Sequence, residues 1–137
     1  MTANRTLTQV RRRLMPALAI GGVALAGPVL AAELGMLDTL SRGMWEVRDR
    51  DSGAISKVCV RDGRELIQLR HRSLACSRLV IDDAPTRVTV QYTCRGQGYG
   101  HTEIRKEGPR LAQIHTQGVE RGQPFDFTAE ARFAGNC

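Results

Sequence analysis

Arg87-Val88-Thr89-Val90-Gln91-Tyr92-Thr93-Cys94-Arg95 is the stretch that decides the fold. Val88, Val90, Tyr92 and Cys94 share one face of a chain whose side chains alternate, and polar residues occupy the other face. Helical spacing would scatter these four around an axis, so the period is that of a half-buried strand. β-branched and aromatic side chains suit that setting. Working upstream, Ser77 to Asp82 reads as a second strand with Leu79 and Ile81 aligned, joined through the turn Asp82-Asp83-Ala84-Pro85. Downstream, Gly96, Gly98 and Gly100 alternate within a strand. His101 to Lys106, a Gly108-Pro109 turn and Leu111 to Val119 form a hairpin, and Gln123 to Phe133 aligns Phe125, Phe127, Ala129, Ala131 and Phe133.

The N-terminal side repeats the theme. Met44 to Asp49 places Trp45 and Val47 on one face, Asp51-Ser52-Gly53 turns, and Ile55 to Val60 pairs back. Two short helices are expected. Leu34 to Gly43 carries Met36, Leu37 and Leu40, with Gly43 as its stop. The other opens at Asp62-Gly63-Arg64-Glu65, with Asp62 accepting from first-turn amides and Leu66, Ile67 and Leu69 as its apolar side. About seven short strands joined by tight turns make a mainly β domain, a small antiparallel meander curled into a barrel or half-barrel that buries one face and protects its edges.

Residues 1–31 read differently. Arg11-Arg12-Arg13 precedes an uncharged apolar run, Leu14 to Leu30, that ends in Val29-Leu30-Ala31-Ala32. Basic, apolar, then small is the pattern of a secretory signal peptide, cut near Ala31 or Ala32. The run is barely long enough to span a bilayer and is broken by Pro16, Gly21, Gly22, Gly27 and Pro28, so no retained membrane anchor is expected. The mature domain is then 32–137, periplasmic or secreted. The whole chain carries a net charge of +6. Taking the leader's Arg5, Arg11, Arg12 and Arg13 from the 20 basic residues leaves 16 against 14 acidic ones, a net of about +2. Mixed signs at that level do not make a nucleic-acid footprint.

The four cysteines, Cys59, Cys76, Cys94 and Cys137, all fall in the mature part. An even count in a short exported domain implies two disulfides. Of the three possible pairings, Cys59–Cys76 and Cys94–Cys137 is favoured: the first brackets the short helix, the second ties down the C-terminus beside the best strand. With no Cys-x-x-Cys, neither a zinc site nor a thiol oxidoreductase fits.

Motifs for chemistry are scarce, and no cofactor is implied. His71, in Leu69-Arg70-His71-Arg72, reads as a solvent-facing residue at a basic helix end. A three-residue loop Glu107-Gly108-Pro109 would set His101 directly opposite His115 on the outer face with Glu103 near by, a weak candidate for a metal or anion; a two-residue loop would break the pairing. No serine stands in a nucleophile elbow. Gly96-Gln97-Gly98-Tyr99-Gly100 lacks the following helix that a nucleotide loop needs. These glycines, with Tyr92 and Tyr99, could instead leave room for a ligand inside the curl at Tyr92, Tyr99, Gly98 and Gly100, or simply let the sheet bend over a filled core.

Gly43-Met44-Trp45-Glu46-Val47, Cys59-Val60, Cys94-Arg95-Gly96 and the terminal Gly135-Asn136-Cys137 together resemble a family of small exported proteobacterial proteins catalogued as a domain of unknown function, with a Gly-x-Trp-Glu opening and a Gly-x-Cys ending. The likeness covers Gly43 to Cys137, and this chain lacks the Met-rich segment many members carry after the Trp strand. It implies export and intact disulfides and supplies no activity. Tyr92-Thr93-Cys94 is similar, more faintly, to a strand of periplasmic lysozyme inhibitors. The expectation is a non-enzymatic exported protein that binds a small molecule or lipid on a concave sheet face. The alternative is a protein–protein module, such as an inhibitor of an envelope hydrolase.

Overall fold

In the computed structural model, which describes residues 34–137, the Arg87–Arg95 run becomes the strand β4 (Arg87–Cys94). Its alternation holds apart from Thr89: Val88, Val90, Tyr92 and Cys94 are buried, Arg87, Gln91 and Thr93 are exposed, and Thr89 is buried on the other face. The signal-peptide segment lies outside the described residues.

Seven strands form one antiparallel sheet: β1 (Gly43–Asp49), β2 (Ile55–Val60), β3 (Ser77–Ala84), β4, β5 (Gly98–Gly108), β6 (Leu111–Glu120) and β7 (Gln123–Gly135). They lie in the order β2-β1-β7-β6-β5-β4-β3. Strands β3 to β7 are a simple meander. β1 then comes back to pair with β7, matching Trp45 to Phe133 and Val47 to Ala131, and β2 hangs on its far side. This is the strand order of an up-and-down barrel slit between β2 and β3. The sheet stays open there, so it is a half-barrel with two edges.

Residues 61–76 connect those two edges and run beneath the concave face. Leu66, Ile67, Leu69 and His71 are buried against it, and Ile67 O accepts the Thr102 hydroxyl from the middle of the sheet at 2.7 Å. A short helix, α1 (Gly35–Asp38), adds Leu34, Met36, Leu37 and Leu40 to the same core. The core therefore fills between sheet and crossover, with Trp45 and Tyr92 its largest fully buried side chains.

Several local expectations change in the folded chain. The helix expected over Leu34 to Gly43 is the single turn α1. Thr39 donates its hydroxyl back to Met36 O at 2.6 Å, and Ser41 O is taken by Trp45 Nε1 at 2.8 Å, so the backbone leaves the helix and Gly43 opens β1. The second helix is a 3-10 turn, Arg64–Leu66. Asp62 Oδ1 does accept the Arg64 amide at 3.0 Å. Leu79 and Ile81 point outward, 64% and 53% exposed, and Val80 packs on the core, with a bulge between Val80 and Asp82. Gly96 lies in the β4–β5 turn rather than in a strand.

The disulfides are Cys59–Cys137 and Cys76–Cys94, not the favoured pairs. Strand register explains both. Met44 is matched to Cys59 on one side and to Gly135 on the other, which brings the C-terminus beside β2. Ser77 faces Thr93, so the cysteines next to them face each other. The bridges span 78 and 18 residues. Loop-closure entropy makes them worth about 4.5 and about 3 kcal/mol. Replacing Cys59 and Cys137 by alanine should therefore cost about 1 kcal/mol more in urea unfolding than replacing Cys76 and Cys94. Equal costs, or peptide mapping that links Cys59 to Cys76, would contradict this topology.

Candidate binding site

Tyr92, Gly98 and Gly100 do come together on the concave face, but around a filled core. The Tyr92 hydroxyl lies 3.1 Å from His71 Nδ1, and the two rings meet edge to face at 5.4 Å. A Cβ added at Gly100 would sit 2.4 Å from the Tyr92 ring and hydroxyl. One at Gly98, whose φ is +130°, would strike Val119 O at 1.9 Å and come within 3.1 Å of His71 Nε2. The missing side chains make space for Tyr92, His71 and neighbouring backbone. Tyr99, by strand alternation, is on the outer face and 48% exposed, so it shares no site with Tyr92.

His71 corrects its sequence reading: it is 2% exposed, because the crossover turns it under the sheet. Its Nε2 is buried without a hydrogen-bond partner among the described residues. The polar strip continues through Thr102 and Thr116, whose hydroxyls are 2.7 Å apart. Burial pushes the Tyr92 phenol up to about 12, with hydrogen bonding from Thr116 opposing it.

On the outer face the expected pairing of His101 with His115 is displaced by two residues along the strand. His101 faces Gln117 and His115 faces Glu103. The turn is only Pro109-Arg110, with Gly108 matched to Leu111, and a register shift between Lys106 and Gly108 restores parity. Both imidazoles thus face outward on adjacent rungs, and His115 Nε2 is held by Asp126 Oδ1 at 3.0 Å. Among the described residues no three His, Cys, Asp or Glu side chains are grouped to hold a metal ion.

The open space on the concave side lies elsewhere, at the end where the β1–β2 hairpin overhangs the crossover. It is a groove of about 420 Å³, within the roughly 300–1,000 Å³ usual for small-molecule sites. Val47, Leu69, Ile55 and Phe127 give it apolar walls. Its rim carries Arg70, Arg72 and Asp49. The Arg70 guanidinium lies over the Phe127 ring at 5.1 Å and the Phe125 ring at 5.9 Å. Arg72 donates to Lys57 O at 3.2 Å and Ser56 Oγ at 2.9 Å, which pins the crossover to β2, and burial pulls its pKa below the ordinary arginine value. The Asp49 carboxylate is used by the hairpin: its Oδ1 accepts the Asp51 and Ser52 amides, each at 2.9 Å. The Ser52 amide is the main cause holding Asp49 below the usual carboxylate range.

Inward-facing Val47 and Phe127 were legible in the alternation of their strands. Arg70 and Arg72 were not, since their place depends on where the crossover runs.

If the concave face is filled at Gly100, Gly100→Ala should lower stability by about 1–3 kcal/mol through overpacking. Gly108→Ala, where an added methyl meets open space, should stay within about 0.5 kcal/mol. A tolerated Gly100→Ala, read in the same urea titration, would mean the face has room after all. The Tyr92 phenol gives a second check. Its folded pKa of about 12 exceeds the ordinary 10.0. Its contribution is therefore complete below pH 10 and is lost as pH rises toward 12, because the unfolded chain ionises first. Tyr92→Phe should flatten that alkaline limb; an unchanged limb would assign it to other groups. No protein-family model, no curated protein and no solved structure matches the chain.

Proposed function

We propose that this chain is an exported, non-enzymatic binding protein, and that its ligand is a small molecule with an apolar body seated in the groove beneath the β1–β2 hairpin. The observation that carries the reading is the groove itself: an apolar lining of exposed Ile55 over the edges of buried Val47, Leu69 and Phe127, at the end of an otherwise filled half-barrel. Export is supported by the leader pattern of residues 1–31, by the motifs resembling small exported proteins, and by two disulfides with no free cysteine. Among the described residues no helix is long and apolar enough to cross a membrane.

A second reading, the protein–protein module, is favoured by a different feature. The edge strand β3 exposes Leu79 and Ile81, and Leu74 just before it is 39% exposed. An apolar edge of this kind suits a protein partner.

The two readings separate on one experiment. The neutral fluorescent probe N-phenyl-naphthylamine should bind the purified protein with one-site stoichiometry. Ala54→Trp, at an exposed groove position, should abolish that binding while leaving the thermal midpoint unchanged. Probe binding that survives Ala54→Trp but is lost in Leu79→Glu would move the apolar site to β3 and favour the second reading.

A further inference from the structure

We propose that the groove selects ligands with an oxyanion head group, a carboxylate or a phosphate monoester, attached to the apolar body. This rests on the reading of the groove as a ligand site and adds the charge of what it takes.

The electrostatics of the rim differ from those of the outer-face hollow. On the outer face, a hollow bounded by Arg50, Arg87 and Arg105 has each guanidinium in an ion pair, with Glu130, Asp82 and Glu107 respectively. Beside the 3-10 turn, Arg61 pairs with Glu65 and Arg64 with Asp38, while Arg78 donates to the neutral Gln68 Oε1 and Arg72 reaches this hollow as well. In the groove, two arginines face one carboxylate, and neither forms an ion pair with it. Among the described residues Arg70 makes no hydrogen bond at all, and Arg72 gives its hydrogen bonds only to neutral oxygens. Asp49, the single acidic group on the rim, is turned into the hairpin by two backbone amides.

Arg70 is also held in place. Its guanidinium plane is supported by Phe125 and Phe127, and this contact satisfies the cation's face but none of its five N–H donors. A fixed guanidinium with open donors above an apolar wall is preorganised for a planar or tetrahedral oxyanion, which accepts two parallel hydrogen bonds. The Phe127 ring that supports the cation also lines the groove, so head group and body of one ligand would be bound by adjoining surfaces. A cationic head would meet two like charges at the same place.

The test compares ligands that share a tail. Octanoate, octyl phosphate, octan-ol and octylammonium displace N-phenyl-naphthylamine from the intact protein in low salt. The better of the two anions should act at a concentration at least tenfold below the alcohol, with the ammonium weakest, and whichever anion is stronger names the head group. Added sodium chloride should shrink the advantage. Arg70→Gln should bring the anion-to-alcohol ratio down at least fivefold while the alcohol's own midpoint stays put, and Arg70→Lys should recover part of it. Alcohol and anions that displace equally would overturn the charge selection and leave the groove standing. A probe that does not bind, or is displaced by none of the four, would remove the groove reading and this inference with it. The wild-type comparison needs no variant, so a poorly folding Arg70→Gln would not spare the proposal.

Discussion

The return of β1 to β7 is the constraint on which the rest of the molecule hangs. Once the first strand pairs with the last, the sheet has the connectivity of a barrel, and the place where it opens is fixed between β2 and β3. Gly43 makes the approach possible: its φ is +142°, and a Cβ there would sit 2.2 Å from Gly135 O. The same pairing brings Cys137 beside Cys59, so the longer disulfide locks the junction that the glycine admits. It also forces the chain from β2 to reach β3 by crossing the full width of the sheet. The only short path is under the concave face, which is why residues 61–76 become the floor of the core.

That crossing decides what the interior can be. A curled sheet with glycines on its inner face invites the idea of a cavity, and the strand positions of Tyr92, Gly98 and Gly100 permit one. The crossover takes the space instead. His71 is carried in to meet Tyr92, Ile67 O finds the Thr102 hydroxyl, and the gaps at the glycines close around an aromatic pair. The far end of the crossover is fastened twice, by Cys76–Cys94 at β4 and by Arg72 on the carbonyl and hydroxyl of β2. Among the described residues, a groove remains where the β1–β2 hairpin projects past this floor.

Elements whose residues carry their own instructions were legible in the sequence. Period-two runs gave the strands around Val88–Cys94, Trp45–Val47 and Phe125–Phe133, and turn residues gave most of their limits, because side-chain alternation is local. What depends on pairing between distant segments was not. Nothing local to Cys59 says that its neighbour strand will be β1 with β7 beyond, so the disulfides were misassigned. A basic neighbourhood made His71 read as exposed, when the surface it meets is built by strands more than twenty residues away. The two-residue displacement of His101 from His115 depends on where a two-residue turn closes and on the register shift between Lys106 and Gly108, which hydrophobic pattern does not report.

Arg70-His71-Arg72 joins the two halves of this account. These three residues lie in the turn that follows the 3-10 helix, with the His71 amide donating to Gln68 O, and the middle one is drawn in by the Tyr92 hydroxyl, by Phe125 and by the space left at Gly98. The flanking arginines must then face out, one onto Phe125 and Phe127, the other onto the backbone of β2. Neither closes an ion pair there: Arg70 acts on the Asp49 carboxylate only at a distance, because the hairpin's own acid is committed to its turn. Two cations left without ion pairs at the edge of an apolar hollow are the by-product of a packing decision made in the core. A structure optimised for stability alone would gain little by keeping them, since a surface arginine opposite a carboxylate is readily arranged elsewhere on this same molecule, as at Arg50, Arg87 and Arg105. The charge imbalance is therefore a property of the groove, set by the crossover, and it distinguishes that hollow from the one on the outer face, where Arg50, Arg87 and Arg105 each have a carboxylate partner.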